Sequence, residues 1–137
     1  MVRKAVASLI CLICFLLGAA CAETPTMPRE AAMLSAGAWT GDGCLDVTTV
    51  QCELVVGCGH GVFSAPTIRA DGTFDVEGTY RVEAGPISVN PPPPATFSGV
   101  LNGQTLTLTV TPRDGSKPAS YVLHFSSTSG RCVTACV

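Results

Sequence analysis

No apolar run in this 137-residue chain is long enough to cross a bilayer as a helix, which takes about 20 apolar residues; the best, Ala5–Leu17, stops at thirteen. A basic cluster is missing too. Charged residues are only 13% of the chain, and beyond position 20 the basic ones (Arg29, Arg69, Arg81, Arg113, Lys117 and Arg131) stand far apart. Ten acidic residues outnumber those six, a formal charge of −4 for that part. The electrostatic footprint of a nucleic-acid binder is absent, so no nucleic-acid partner is expected. Neither a glycine-rich phosphate loop nor a serine–histidine constellation occurs.

What is present begins with a secretory signal. Arg3 and Lys4 precede the uncharged stretch, and Gly18, Ala19 and Ala20 follow it. Charge, a short apolar core and small residues are the three parts of an export signal, so residues 1–20 are expected to be removed. Leu17-Gly18-Ala19-Ala20-Cys21 resembles the bacterial lipobox. That resemblance implies lipidation of Cys21 and a membrane anchor in the cell envelope, facing the periplasm or the exterior. Cleavage after Ala22, or after Ala20 without lipid, is the alternative. Residues 21–36 contain two prolines and little to bury, and read as a flexible tether to a β domain at 37–137.

Export places the remaining cysteines where disulfides persist. Cys11 and Cys14 leave with the signal. Cys44, Cys52, Cys58, Cys132 and Cys136 remain, an odd number unless Cys21 is left unlipidated. Spacing leaves their pairing open.

From Gly37 onward the pattern is β. In Thr73–Glu83, Phe74, Val76, Gly78, Tyr80 and Val82 share one face, opposite Thr73, Asp75, Glu77, Thr79, Arg81 and Glu83. Period two marks a half-buried strand, and Gly78 on the apolar face suggests a bend. Residues 105–111 and 119–126 repeat the alternation. Asp71-Gly72, Asn102-Gly103 and Asp114-Gly115 are hairpin signals, with both central residues expected at positive φ. Strands are predicted near 38–41, 44–49, 52–57, 61–69, 73–83, 95–101, 104–111 and 119–126. Eight antiparallel strands predict an all-β fold, a small up-and-down barrel, with a two-sheet sandwich as the alternative. Residues 84–94, with five prolines, read as a stiff surface connection. Trp39, Leu54, Val56, Phe74, Tyr80, Phe97, Leu106, Leu108, Tyr121, Leu123 and Phe125 are expected to fill the interior.

Several elements occur in a suggestive order: Gly37-Ala38-Trp39-Thr40-Gly41, Cys58-Gly59-His60-Gly61, Asp71-Gly72-Thr73-Phe74-Asp75-Val76-Glu77-Gly78-Thr79 and a late cysteine. They resemble an uncharacterised family of small exported bacterial β-domains, with a C-x-H-G and a D-G-x-F-x-V-x-G-T strand. The resemblance implies a Cys58–Cys132 bridge and supplies no activity. Gly37-Ala38-Trp39 also resembles the G-x-W that opens lipocalin- and avidin-type barrels, which implies a cation–π cover of Trp39 by Arg131.

Candidate chemistry is thin. Cys44, Cys52, Cys58 and His60 match no common zinc spacing. A cysteine nucleophile would need His60 or His124 as base, and Asp75 with Glu77 would be an acid–base pair only in a cleft. No catalytic residue, metal or cofactor is expected. The expected role is a non-catalytic envelope lipoprotein with an unknown envelope protein or small ligand as partner. A lipocalin-like carrier and, more remotely, a hydrolase are the alternatives.

Overall fold

Alternation along each strand becomes an inside and an outside once the sheet closes. The computed structural model describes residues 31–83, 90–128 and 131–132. The signal, Cys21, the tether up to residue 30, Cys136 and most of the proline segment lie outside the described residues. Ten strands follow in order: β1 (Ala32–Met33), β2 (Gly37–Gly41), β3 (Cys44–Val47), β4 (Gln51–Val56), β5 (Gly59–Ser64), β6 (Thr67–Ile68), β7 (Thr73–Val82), β8 (Pro94–Asn102), β9 (Thr105–Pro112) and β10 (Ala119–Ser127). Eight of them, β2-β3-β4-β5-β7-β8-β9-β10, form a closed antiparallel barrel in which β10 returns to β2. The up-and-down barrel is thus the fold, and the sandwich is not. β1 and β6 pair separately across one end, with Ala32 opposite Ile68.

The closing seam sets Thr40 against His124 and Trp39 against Phe125, with a register shift before Ser127. Trp39 is 2% exposed. Its Nε1–H donates to the Ser35 carbonyl oxygen at 3.0 Å, so burial leaves no orphaned donor. Phe125 meets the indole edge-on at 5.3 Å. Phe63 and Phe97 stack at 4.3 Å, and Leu45, Leu54, Phe74, Leu106, Leu108, Val110 and Leu123 complete a sealed interior. The side chains expected inside do face inward; Val56, Tyr80, Tyr121 and Phe125 are partly buried against the core. Gly78 lies opposite Phe63, whose Cβ would stand 2.8 Å from any Cβ placed there. It admits the Phe63–Phe97 stack.

Four expectations need correction. First, the tether does not reach 36: Leu34 and Ile68, 5% and 4% exposed, belong to the core. One apolar side chain in a small polar stretch is enough to plug a barrel end. Second, Cys132 pairs with Cys44, not Cys58, at a Cα separation of 5.5 Å. After β10 the chain passes the outer face of β3, where Thr128, Arg131 and Cys132 share a groove with Asp46 and Glu53; outward-facing Cys44 lies on that same strand. Cys58 is itself disulfide-bonded. Third, that path carries Arg131 to the exposed outer wall, so Phe125, not Arg131, covers Trp39. Fourth, no non-glycine residue among the described residues has positive φ. Asn102 is the last residue of β8, paired with Thr105, and the two-residue turn is Gly103-Gln104. Gly103 at φ 60° occupies the first central position, as a Gly-X turn requires.

The proline run meets the barrel as an acceptor. Pro93 and Pro94 carbonyl oxygens accept from Tyr80 N–H and Arg113 N–H at 2.9 and 3.0 Å. Proline lacks a donor but keeps its acceptor, so it can begin a strand here.

Two measurements check this account. Phe97→Ala should cost about 3–5 kcal/mol in urea unfolding, whereas exposed Val100→Ala should stay within about 0.5 kcal/mol. A non-reducing peptide map should show Cys44 linked to Cys132, and losing that cross-link should cost about 2–5 kcal/mol.

Candidate functional site

The meander gives the barrel two unlike ends. At the lower end lie the β3–β4 turn, the β5–β7 connection and the β8–β9 turn, closed by Leu34 and Ile68. At the upper end lie the β2–β3 and β4–β5 turns and the β9–β10 loop. Among the described residues no aliphatic plug closes it. Instead Tyr80 of β7 and Tyr121 of β10, both part-buried, border a cleft of about 460 Å³. Val110 contributes to its walls with Pro93 and Pro112, and Arg81, Asp114 and Lys117 stand at its margin.

Local sequence explains how Tyr80 fits. Gly59 and Gly61 are buried on the inward face of β5. A Cβ on Gly59 would collide with the Tyr80 hydroxyl, and one on Gly61 would come within 3.2 Å of the Tyr80 ring and 2.9 Å of Phe97. The two glycines of Cys58-Gly59-His60-Gly61 are therefore the seat of two rings; only Gly57, at φ 54°, serves the turn itself. Burial, and next the hydrogen-bonded hydroxyl of Tyr121, push the Tyr80 phenol up to about 12. It is neutral at any physiological pH. The phenols were legible as inward residues, but not as a site. The one signal was their position: phenols at one end of inward faces that are otherwise largely apolar.

The residues weighed for catalysis are not brought together. His60 faces outward on β5, opposite Val55 and Arg81. His124 faces outward on β10, hydrogen-bonded through Nδ1 to the Thr105 hydroxyl at 3.1 Å. β5 and β10 stand four strands apart around an eight-stranded ring, so the histidines occupy opposite walls. Asp75 pairs with Arg69 at 2.8 Å and accepts from Ser98 Oγ at 2.6 Å. That hydroxyl first, and then Arg69, hold its carboxyl below the usual range. Glu77 pairs with Arg113 at 2.6 Å and accepts from Thr96. These are exposed ion pairs on a solvated sheet face, worth little individually.

Cys52 is fully buried between Val47 and Phe63 on neighbouring strands, and its thiol is free. Burial, and then the charge of Asp46, raise it to about 12. Cys44 and Cys58 are both in disulfides, so the three cysteines near His60 in sequence offer no thiolate set. A second hollow, about 1040 Å³ between the tail and the outer face of β3 and β4, has Asp46, Gln51, Glu53 and Arg131 on its walls. It is larger but polar and lacks aromatic side chains, so the mouth offers more to recognise a ligand.

The buried thiol generates a test. Cys52 should resist a thiol reagent at pH 8 in the folded protein and react fully after unfolding. Because its folded pKa is raised, its contribution to stability should be intact below about 9, its ordinary value, and decline as pH rises from there toward about 12. Cys52→Val should flatten part of that decline, Tyr80 supplying the rest.

No protein-family model matches this chain. No curated protein matches it, and no solved structure does.

Proposed function

We propose that this protein is a non-catalytic envelope lipoprotein, tethered through Cys21 to a bacterial membrane and presenting a rigid barrel as an interaction module. The observation that carries the non-catalytic part is the filled interior together with the dispersal of its polar groups. His60 and His124 stand on opposite walls, and Asp75 and Glu77 are engaged by Arg69 and Arg113. A nucleophile with a base in reach, the minimum for covalent catalysis, finds no place among the described residues. The enclosed void of a carrier is also difficult to fit around Phe63, Phe97 and Trp39 at the barrel waist.

Cysteine parity supports the anchor. Six cysteines lie from position 21 onward. With Cys52 removed from the pairing pool by burial, Cys44, Cys58, Cys132 and Cys136 make an even four without Cys21. The count that spoke against lipidation while Cys52 was a bridge candidate now favours it. The described chain begins at the lower end, so a tether there would point the mouth away from the membrane.

Intact-mass spectrometry of protein extracted from membranes is the test. The expected mass is residues 21–137 plus a lipid modification, with two disulfides and one thiol that reacts only after denaturation. Cys21→Ser should move the protein to the soluble fraction. An unlipidated chain starting at Cys21, or one starting at Glu23, would overturn the anchor.

A further inference from the structure

Inward positions deep in the barrel are sealed aliphatics and phenylalanines. At the upper mouth they become Tyr80 and Tyr121. A barrel end that needed only closure would be met by an aliphatic plug, as Leu34 and Ile68 provide below. Phenols bring something else: flat apolar faces that accept a ring, and polar tips that need a partner when dried. Here both rings border the 460 Å³ cleft. That volume lies in the range of small-ligand sites, and barrel mouths are a frequent setting for them.

Charge at the margin is selective. Arg81 is tied to Glu83 at 2.9 Å. Asp114 accepts the Ser116 N–H at 2.8 Å, and hydrogen bonds from the Ser116 side chain and then its backbone hold the carboxyl below the ordinary range. Lys117 lines the cleft and makes no ion pair among the described residues. Arg81 Nε, on the same wall, is a buried donor without a hydrogen-bond partner. The mouth therefore combines aromatic walls, a cation with no carboxylate of its own and a donor awaiting an acceptor.

We propose that the upper mouth of the barrel binds a small planar organic anion, its aromatic body against Tyr80 and Tyr121 and its single carboxylate or sulfonate at Lys117. The proposal goes beyond the interaction-module reading and requires no catalysis. It also differs from an enclosed carrier, since the ligand lies at the mouth and not in the barrel waist.

The test uses the full mature chain carrying Cys21→Ser, which dispenses with detergent, and two fluorescent probes. One is 8-anilino-1-naphthalenesulfonate; the other is N-phenyl-1-naphthylamine, an aromatic amine of similar shape without the sulfonate. Saturable one-to-one binding of both is expected, tighter for the sulfonate. Lys117→Ala, on an exposed loop, should weaken the sulfonate probe about tenfold, equivalent to about 1.4 kcal/mol, and leave the neutral probe unchanged. Ala119→Trp should fill the cleft and abolish both. Absence of saturable binding to the unsubstituted chain overturns the proposal. So does unchanged sulfonate affinity in Lys117→Ala, or unchanged affinity in a folded Ala119→Trp.

Discussion

The return of β10 to β2 is the contact on which the rest of this structure depends. Eight strands of alternating sequence can lie as two stacked sheets or as one closed ring, and the period-two pattern does not choose between them. Pairing Trp39 with Phe125 and Thr40 with His124 makes the choice. It removes both sheet edges, buries the single tryptophan and turns eight apolar faces toward a common axis. The interior is narrow enough that phenylalanine and leucine side chains fill its waist, as expected of eight strands.

Closure also explains why the two ends differ and why the outside is chemically quiet. The segment just before β2 supplies Leu34 to the lower end and the Ser35 carbonyl to the indole. The upper end receives Tyr121 and Tyr80, and the Tyr80 ring fits because Gly59 and Gly61 occupy inward positions of β5 beside it. On the outer wall, carboxylates meet arginines, as Asp75 meets Arg69 and Glu77 meets Arg113, and hydroxyls answer hydroxyls, as between Thr109 and Ser120 at 2.7 Å. Such a wall has ordered polar surface but no concentration of reactive groups. On such a scaffold the mouth and the loops around it are the place proposed for recognition.

Strands β7, β9 and β10 were legible because each carries its own alternation, a local property that tertiary packing reinforces, and the turn signals between apolar runs marked out the other five. What was not legible depended on contacts distant in sequence. Cys44 and Cys132 are 88 residues apart, and nothing local in Cys-Leu-Asp-Val indicates that the tail will run along its outer face. Arg131 follows the same path and so misses Trp39. Leu34 follows one two-residue strand and Ile68 lies in another, both too short for any period to register. Cys52 is a different case. It alternates with Leu54 and Val56, both read as inward, so strand parity already placed it inside. Counting cysteines for disulfides obscured that signal. The tyrosine mouth was hidden for the opposite reason: Tyr80 and Tyr121 fitted the inward pattern so well that their hydroxyls went unconsidered.

The most direct check is on the seam itself, by nuclear Overhauser contacts and amide exchange in the folded protein. A closed barrel predicts cross-strand contacts between Thr40 and His124 and between Trp39 and Phe125. It also predicts β2 and β10 amides protected as strongly as those of β7 and β8. Missing contacts across that pair, with fast exchange along one side of both strands, would mean an open sheet with two free edges and would contradict the account.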